Sequence, residues 1–208
     1  MKKKLILIIS IFILNLISCS SIKQADQRAK KNELITIYPD AIFDEKENVD
    51  YLTKGTSSIK GVMFTKEKTP LGNKGILSPK IYGNNKMITL FPVTKYFESW
   101  YNLRQKKENK NTIVYMSKEA YAYRLETQTD EYGRFVFENL KPGKYFLQTF
   151  MDVTFQKNTN VQTGTGYNDF GGSIAYYENK QYLKTQNERI EKFVIISKEG
   201  EIVEVNLK

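Results

Sequence analysis

The feature that most constrains the fold is an alternating stretch bracketed by two turn signals, between residues 129 and 147. Asp130 is placed to cap its own turn, and Gly133 supplies the positive φ of a short hairpin loop. The residues that follow alternate between apolar and polar side chains, as in a strand with one buried face. Pro142-Gly143 fits the central positions of a type II turn. Two hairpins this close together predict an antiparallel sheet.

Other parts of the chain also read as strands. Phe135, Phe137 and Leu140 are expected to face a core, with Glu138 exposed. The remaining β-rich runs cover residues 34–38, 59–65, 87–93, 120–129, 145–155, 193–197 and 202–207. The last two flank Glu199-Gly200 and predict a final hairpin. Because helix and strand patterns do not alternate, a parallel α/β sheet is disfavoured. We predict an all-β domain over residues 58–208: an antiparallel β-sandwich of about seven strands with one short helical insertion.

The predicted insertion covers residues 93–104. Thr94 can cap its N-terminus, and Glu98 lies in the early turns, where the helix dipole favours an acid. At helical spacing one arc collects the large apolar side chains, namely Val93, Tyr96, Phe97, Trp100, Tyr101 and Leu103. Arg104 intrudes on that arc, and its guanidinium is expected to reach past the helix end. Two interpretations stay open: the helix packs onto the sandwich, or it presents Tyr96, Trp100 and Tyr101 as an anchor for a sugar or protein partner.

A family resemblance strengthens the fold prediction. The pattern T-D-x-x-G-x-F-x-F-x-x-L-x-P-G-x-Y-x-L, which starts at Thr129, resembles the carboxypeptidase regulatory-like, transthyretin-related (prealbumin-like) sandwich and the B-type repeats of collagen-binding adhesins. Upstream, residues 59–62 and Pro70-Leu71-Gly72 are similar to that family's first strand and first turn, although Lys68-Thr69 replaces the usual glycine. The resemblance covers residues 58–155. It implies the fold and leaves the function open, since such modules serve as linkers, carbohydrate-binding units, adhesin stalks and peptidase appendages.

The adhesin repeats form a Lys–Asn isopeptide bond, and the resemblance places Lys60 and Asn206 at the reactive positions. The bond needs a buried carboxylate that relays protons. The corresponding position here is Thr149. We therefore predict no internal crosslink.

Composition excludes several chemistries. The chain has 208 residues, no histidine and a single cysteine, Cys19. Histidine-dependent triads and zinc sites, disulfides within the chain and iron–sulfur clusters are thereby ruled out. The remaining carboxylates form no catalytic constellation, so we expect no enzymatic activity, no catalytic residues and no cofactor.

The N-terminus resembles a bacterial lipoprotein signal. Three lysines precede an apolar run from Leu5 to Ser18, which is too short to span a bilayer as a helix. Leu16-Ile17-Ser18-Cys19 resembles a lipobox. The resemblance implies a signal peptide over residues 1–18, lipidation of Cys19 by a diacylglycerol and usually an acyl chain such as palmitate, and attachment to the membrane through that lipid.

Residues 19–57 are predicted to form the lipidated N-terminus and a flexible tether, since residues 20–33 are polar and lack aromatic side chains. Ser20 and Ser21 after the cysteine, without an aspartate, favour the outer membrane. Removing the three signal lysines lowers the net charge from +9 to +6. The remaining lysines are scattered among acids and form no basic stripe, so we expect no nucleic-acid partner.

A glycine-rich stretch over residues 164–172 is predicted to be a mobile loop at the end of the sandwich. It lacks the lysine and the helix start that a phosphate loop requires. Asp169 and its neighbouring asparagines lack the spacing of a calcium loop, so we expect no metal site.

Two functions remain. The first is a lipid-anchored, non-enzymatic structural or interaction module of the bacterial cell envelope, with an envelope protein or a glycan as partner. The alternative is a carbohydrate-binding module that uses an aromatic platform.

Overall fold

The structure, a computed structural model, describes residues 33–208. The predicted signal peptide and Cys19 lie outside the described residues. The described chain divides into two compact units, one formed by residues 43–97 and 118–208 and the other by residues 33–42 and 98–117.

Ten strands and three helices make up the described chain. In order they are β1 (Ile35–Ile37), α1 (Glu45–Leu52), β2 (Ser57–Lys66), β3 (Lys80–Tyr82), β4 (Met87–Pro92), α2 (Lys95–Lys107), β5 (Thr112–Val114), α3 (Lys118–Ala122), β6 (Leu125–Gln128), β7 (Arg134–Leu140), β8 (Gly143–Tyr167), β9 (Ser173–Ile196) and β10 (Ile202–Leu207).

The larger unit contains two four-stranded sheets. In the first, β2 pairs with β10 in parallel and with β7 and β3 in antiparallel orientation. The second has the order β6-β4-β8-β9 and is antiparallel throughout. Both sheets contribute buried side chains to one core, among them Ile59, Met63, Phe135, Phe137 and Leu207 from the first and Ile88, Leu90, Tyr145, Leu147 and Val194 from the second. A largely antiparallel β-sandwich is therefore confirmed. It has eight strands, and helices occur at three places in the described chain where one insertion was predicted.

The turn at residues 130–133 forms as predicted. Gly133 has a φ of 74°, and the Asp130 carboxylate accepts hydrogen bonds from the backbone N–H groups of Tyr132 (2.9 Å) and Arg134 (2.8 Å). The strands that it joins, β6 and β7, belong to different sheets, as do β7 and β8. The two predicted hairpins were therefore wrong. Turn residues reverse the chain and alternation buries one face, but neither decides whether the flanking strands pair or face each other across the core.

The connection at Pro142-Gly143 also differs from the predicted type II turn. Gly143 has a φ of 158°, and Asn139, with a φ of 59°, is the left-handed residue of this connection. A side chain on Gly143 is excluded for another reason, because its Cβ would lie 2.6 Å from the Tyr51 ring of α1. Because Gly143 has no side chain, α1 can pack closely against the start of β8.

Two further strand predictions need correction. β10 does not pair with β9; it lies beside β2, with Ile202 opposite Ser58 and Leu207 opposite Met63. The last two strands, β9 and β10, therefore belong to different sheets and form no hairpin. In the predicted strand over residues 120–129, only Leu125–Gln128 is extended, and the first part lies in α3. Lys118, Glu119 and Ala120 are good helix formers, and this propensity prevails over the alternation of the tyrosines that follow.

The smaller unit pairs β1 with β5 in parallel, with Ile35 opposite Thr112. The short strand predicted over residues 34–38 is thus present. Within the range predicted as a tether, the structure also forms α1, which Asp44 caps through its carboxylate. Helix α2 starts as predicted, since the Thr94 hydroxyl accepts a hydrogen bond from the N–H of Phe97 at 3.3 Å. None of the helices over residues 33–208 combines the length and the apolarity that crossing a membrane requires.

Candidate functional site

The predicted aromatic anchor is largely buried. Tyr96 and Trp100 are 5% and 6% exposed, whereas Tyr101 is half-buried. Tyr96 packs edge-on against Phe43, with ring centroids 5.7 Å apart, and the indole N–H of Trp100 donates to the Val114 carbonyl at 3.1 Å. A buried ring cannot stack on a sugar. The geometry favours the interpretation of α2 as a packing helix.

Arg104 does not reach past the helix end. It is 3% exposed, and its guanidinium lies 4.6 Å from the Trp100 ring centroid and 5.0 Å from that of Tyr101. Both rings lie one turn earlier on α2, so the planar cation stacks along the helix. The expectation that this residue extends into solvent was wrong because the aromatic rings offer it a closer partner.

A concave surface lies on the outer face of the first sheet. We call it the charged groove, with a volume of about 820 Å³. Strands β2, β7 and β10 provide its floor, and residues from β6 and the following turn provide one rim. Its charged and amide side chains are Lys60, Gln128, Asp130, Arg134, Glu138, Glu204 and Asn206. Two of these side chains, Lys60 and Arg134, are positive and three are negative, so the groove offers charges of both signs.

Lys60 and Asn206, the pair indicated by the adhesin resemblance, both line this groove and are solvent-exposed. Asn206 lies opposite Val62, two residues along β2 from Lys60. Thr149 is on the other sheet, where its buried hydroxyl donates to the Met87 carbonyl at 2.7 Å. The pair thus lies on an exposed face, away from the interior where an isopeptide bond would need its carboxylate; the absence of the bond itself stays a prediction.

A rigid cluster borders the charged groove at the turn after β6. The Arg134 guanidinium donates to the Asp130 carboxylate at 2.6 Å and lies 5.0 Å from the Tyr132 ring centroid. Desolvation opposes ionisation of Asp130, but the backbone N–H and the guanidinium of Arg134 outweigh it, so that the pKa of Asp130 lies below its usual value. The Asp130 carboxylate therefore stays ionised at neutral pH and pairs with the guanidinium that lies over the exposed Tyr132 ring.

The most distinctive surface is the hairpin of β8 and β9. The two strands pair from Gly143–Ile196 to Tyr167–Ser173. Only the first part of this hairpin belongs to the sandwich. We call residues 157–182 the distal ribbon; its side chains are exposed or intermediate throughout, whereas Met151, Val153 and Phe155 just before it are buried. A two-stranded ribbon with two solvent-facing sides thus extends the second sheet.

The two faces of the distal ribbon differ in chemistry. One carries the exposed side chains Val161, Ile174, Tyr176 and Tyr182 among three charged ones, Lys157, Glu178 and Lys180, and Tyr176 lies across the glycine backbone at Gly166. The other carries a ladder of amides and hydroxyls, with the exposed Tyr177 opposite Gln162. Its cross-strand hydrogen bonds join Asn160 to Asn179 (3.2 Å), Gln156 to Gln181 (2.5 Å) and, just before the ribbon, Thr154 to Thr185 (2.8 Å) and Asp152 to Asn187 (2.7 Å).

Ionic contacts fasten the base of the ribbon. Glu188 of β9 pairs with Lys68 and Lys74, each at 2.7 Å, and accepts a hydrogen bond from Thr65 at 2.9 Å. Desolvation alone would raise the pKa of Glu188, but the hydrogen bonds from Lys68, Lys74 and Thr65 lower it below the usual value. These contacts, which we call the Glu188 clamp, hold the segment between β2 and β3 against the ribbon base.

The predicted glycine-rich loop is not a loop at the end of the sandwich. Gly164 and Gly166 lie within β8, and only residues 168–172 form the turn at the ribbon tip. There, the Asn168 side-chain oxygen accepts from the N–H groups of Phe170 (3.2 Å) and Gly172 (2.6 Å). Over residues 33–208, no three acidic or cysteine side chains are grouped to hold a metal ion.

Comparison with known proteins adds evidence on the fold. No family model matches the chain, and no curated protein matches it in sequence. A crystal structure from Pseudomonas aeruginosa is similar, with a TM-score of 0.51 and 19% sequence identity; the match covers 80% of this chain and 97% of that one. That protein is described as a proposed carbohydrate-binding protein. At this identity the similarity supports the fold alone.

The sequence did contain a signal for the distal ribbon. Residues 158–167 and 173–177 carry no charge and are rich in Asn, Gln, Thr and Tyr, which suits a strand exposed on both faces. Such a strand lacks the apolar alternation that identifies a half-buried one. The glycines made the same stretch look like a loop.

Proposed function

We propose that this protein is a lipid-anchored, non-enzymatic interaction module of the bacterial cell envelope, and that the distal ribbon is its contact surface. The observation that supports this most directly is the exposure of aromatic side chains on the ribbon. Phe170 at the tip is 97% exposed, Tyr167 82% and Tyr177 63%.

Physical considerations favour a binding role for such an element. A two-stranded ribbon is at best marginally stable alone in water, and the distal ribbon adds no buried side chain to the core. Contiguous exposed apolar and aromatic groups mark interaction sites on soluble surfaces. Tyrosine gives a large contact area at a low cost in side-chain entropy. The distal ribbon is therefore better explained as a surface that contacts a partner than as an element that stabilises the sandwich.

The anchor in this proposal rests on the sequence. A diacylglycerol and an acyl chain on Cys19 would give stable attachment, since two or more chains are needed for it. The residues from 20 onward would lead from the lipid to the described units, and Ser20-Ser21 favours the outer membrane. The module itself would be of the carboxypeptidase regulatory-like type.

Site-specific crosslinking tests the contact surface. A photoreactive amino acid replaces Tyr177 in the full chain, expressed in its own cells. The matched control carries the same group at Tyr132, which is exposed to a similar degree, 58%, but lies in the turn between β6 and β7, outside the distal ribbon. We expect crosslinked products from position 177 well above those from position 132. Equal yields at the two positions, or none at 177, would contradict the proposal.

A second candidate function is carbohydrate binding at the charged groove. Two observations favour it: the similar crystal structure described as a proposed carbohydrate-binding protein, and a groove that offers amides, charges and a neighbouring exposed tyrosine, Tyr132. Sugars are bound by such hydrogen-bonding groups and by stacking on aromatic rings.

A glycan array with the full chain in detergent tests this candidate. If the groove binds a glycan, Lys60→Ala and Arg134→Ala each reduce the signal, and Lys54→Ala, a lysine outside the groove, leaves it unchanged. No bound glycan, or equal loss with all three variants, would remove the groove from consideration.

A further inference from the structure

The outer edge of β8 has no strand partner beyond the sandwich. Among the described residues, β8 pairs with β4 only over Tyr145–Gln148, and its other edge pairs with β9. From Phe150 to Tyr167, backbone groups on the outer edge therefore face outward without a neighbouring strand. An unpaired edge of this kind is a template for strand addition.

The hydrogen-bond pattern identifies which backbone groups face that edge. The Lys144 carbonyl accepts from the N–H of Val93 at 2.9 Å. The backbone groups of Lys144 therefore point towards β4, on the side of β8 opposite to β9. Bonding alternates along a strand, and the register with β9 is continuous from Gly143 to Gln162. Asn158, Asn160 and Gln162, an even number of residues later, therefore direct their N–H and C=O groups to the open edge.

The two strands differ in how they are protected. β9 carries seven charged side chains, namely Glu178, Lys180, Lys184, Glu188, Arg189, Glu191 and Lys192. The open part of β8 carries two, Asp152 and Lys157, and no proline. Charged residues and prolines are the usual protection of an edge strand against pairing. The edge of β8 beyond Lys157 lacks both.

We infer that this edge of β8 pairs antiparallel with the same edge of a second copy of the chain. The product is a continuous four-stranded sheet in the order β9-β8-β8-β9, closed by a two-fold axis. The inference rests on the proposed function and names the partner of the distal ribbon.

Three features favour a second copy over a foreign strand. Residues 158–167 have no charge, so two copies do not repel each other and a charged strand finds no complement. Antiparallel pairing about Asn160 sets Asn158 opposite Gln162 and Asn160 opposite itself. The backbone N–H and C=O groups of Asn158, Asn160 and Gln162 then all face those of the second copy, and the amide ladder that already joins Asn160 to Asn179 continues across the new pair. The β-bulge between Gln162 and Gly164 ends this register, so the pairing about Asn160 covers residues 158–162 of each copy, roughly 17 Å at about 3.4 Å per residue.

A charge-exchange experiment tests the pairing. The full chain, purified in detergent, is compared with Asn160→Lys and Asn160→Asp by sedimentation. We expect a dimer for the natural chain and monomers for each variant alone, because identical charges then face each other across the axis. A mixture of the two differently tagged variants should form mixed dimers. A monomeric natural chain, or variants that dimerise as well as the natural chain, would overturn the inference.

A proline variant separates edge pairing from folding of the ribbon. Asn158→Pro removes an N–H that faces the open edge and leaves the bonds to β9 in place, so it should abolish the dimer while hydrogen exchange in β9 is retained. Asn158→Ala keeps the N–H and should keep the dimer. A proline variant that still dimerises would contradict pairing at this edge.

Failure of the inference and failure of the proposed function give different results. If the purified chain is monomeric and position 177 crosslinks another molecule in cells, the ribbon is a contact surface for a different partner and the inference is wrong. If position 177 crosslinks nothing, the proposed function is wrong, and sedimentation of the natural chain and its Asn160 variants decides the inference separately. Crosslinks between two copies together with recovery of mixed dimers would support both.

Discussion

At the residue scale, glycine positions show how strongly the backbone limits substitution. Gly133 has positive φ, and an added Cβ would lie 2.4 Å from the Met63 carbonyl oxygen. Gly133→Ala should therefore destabilise the protein by more than the ~1–2 kcal/mol of the left-handed conformation alone. The measurement is the free energy of unfolding from denaturant titration of the full chain in detergent.

Gly171 provides the matched control. It has a similar φ of 78°, but no atom lies within 4 Å of an added Cβ. Gly171→Ala should lose only the free energy of placing an alanine at positive φ, about 1 kcal/mol. This loss should affect only the ribbon tip. Equal destabilisation by both variants would show that the contact with Met63 contributes nothing.

The Glu188 clamp makes the ribbon base sensitive to acid. The pKa of Glu188 in the folded protein lies below its ordinary value of 4.5, so the clamp contributes its full stability above that value. The contribution falls as pH drops from about 4.5 through the folded pKa, because the carboxylate must then be protonated. The protection of residues 66–79 against hydrogen exchange, relative to the intrinsic rate at each pH, should fall over this range. Glu188→Gln should produce the same loss of protection at neutral pH, about 1 kcal/mol.

Glu178→Gln is the control for the clamp. Glu178 and Lys180 lie 3.7 Å apart and are both more than half exposed, and such pairs contribute little. This variant should leave exchange in residues 66–79 unchanged at every pH. A clamp segment that exchanges equally fast in the natural chain and in Glu188→Gln would contradict the assigned role.

At the scale of elements, the sequence predicted strands better than it predicted their partners. β2, β4 and β10 lie where the β-rich runs at residues 59–65, 87–93 and 202–207 predicted strands. The partners of β7 were wrong because Gly133 and Pro142 specify only that the chain turns. The distal ribbon was missed because neither of its faces is buried, and a strand of that kind has no apolar period to detect.

The candidate site shows the same limit. Tyr96 and Trp100 were correctly placed on an amphipathic helix, but amphipathicity cannot tell a face that packs internally from one that binds a partner. Arg104, which looked like a flaw in the apolar arc, stacks on the rings beside it. Tyr177 and Phe170 were not among the predicted binding residues. Their exposure results from the long pairing of β8 with β9, which the sequence did not predict.

The burial of Trp100 gives a spectroscopic prediction. It is the only tryptophan of the chain and is 6% exposed. Its emission should be blue-shifted and resistant to acrylamide, and envelope glycans should not change it. A red-shifted, quenchable emission would contradict the packed helix and return Tyr96, Trp100 and Tyr101 to the candidate binding residues.

A second variant calibrates this measurement on the distal ribbon. Trp100→Phe combined with Tyr177→Trp transfers the single indole to an exposed position. Its emission should be red-shifted and readily quenched in the monomer.

At the scale of the whole molecule, the proposed lipid anchor on Cys19 would decide where the described units work. Cys19→Ala should leave the protein without lipid, either retained as a precursor or released to the soluble fraction. Mass spectrometry and membrane fractionation give the measurement. The matched variant Ser20→Ala keeps the cysteine and should remain lipidated. Acyl chains and membrane retention that persist in Cys19→Ala would show that the lipobox is not used.

The parallel pairing of β10 with β2 has a consequence for biosynthesis. Residues 67–201 lie between these two strands, and Leu207 at the end of β10 is fully buried. A chain still attached to the ribosome therefore keeps one side of β2 vacant until β10 emerges, and closing such a distant contact is slow. Nascent chains arrested before residue 202 should be digested readily by protease, and chains released after it should resist. Late completion of the sheet would keep the polypeptide unfolded for long enough to be threaded through a translocation pore.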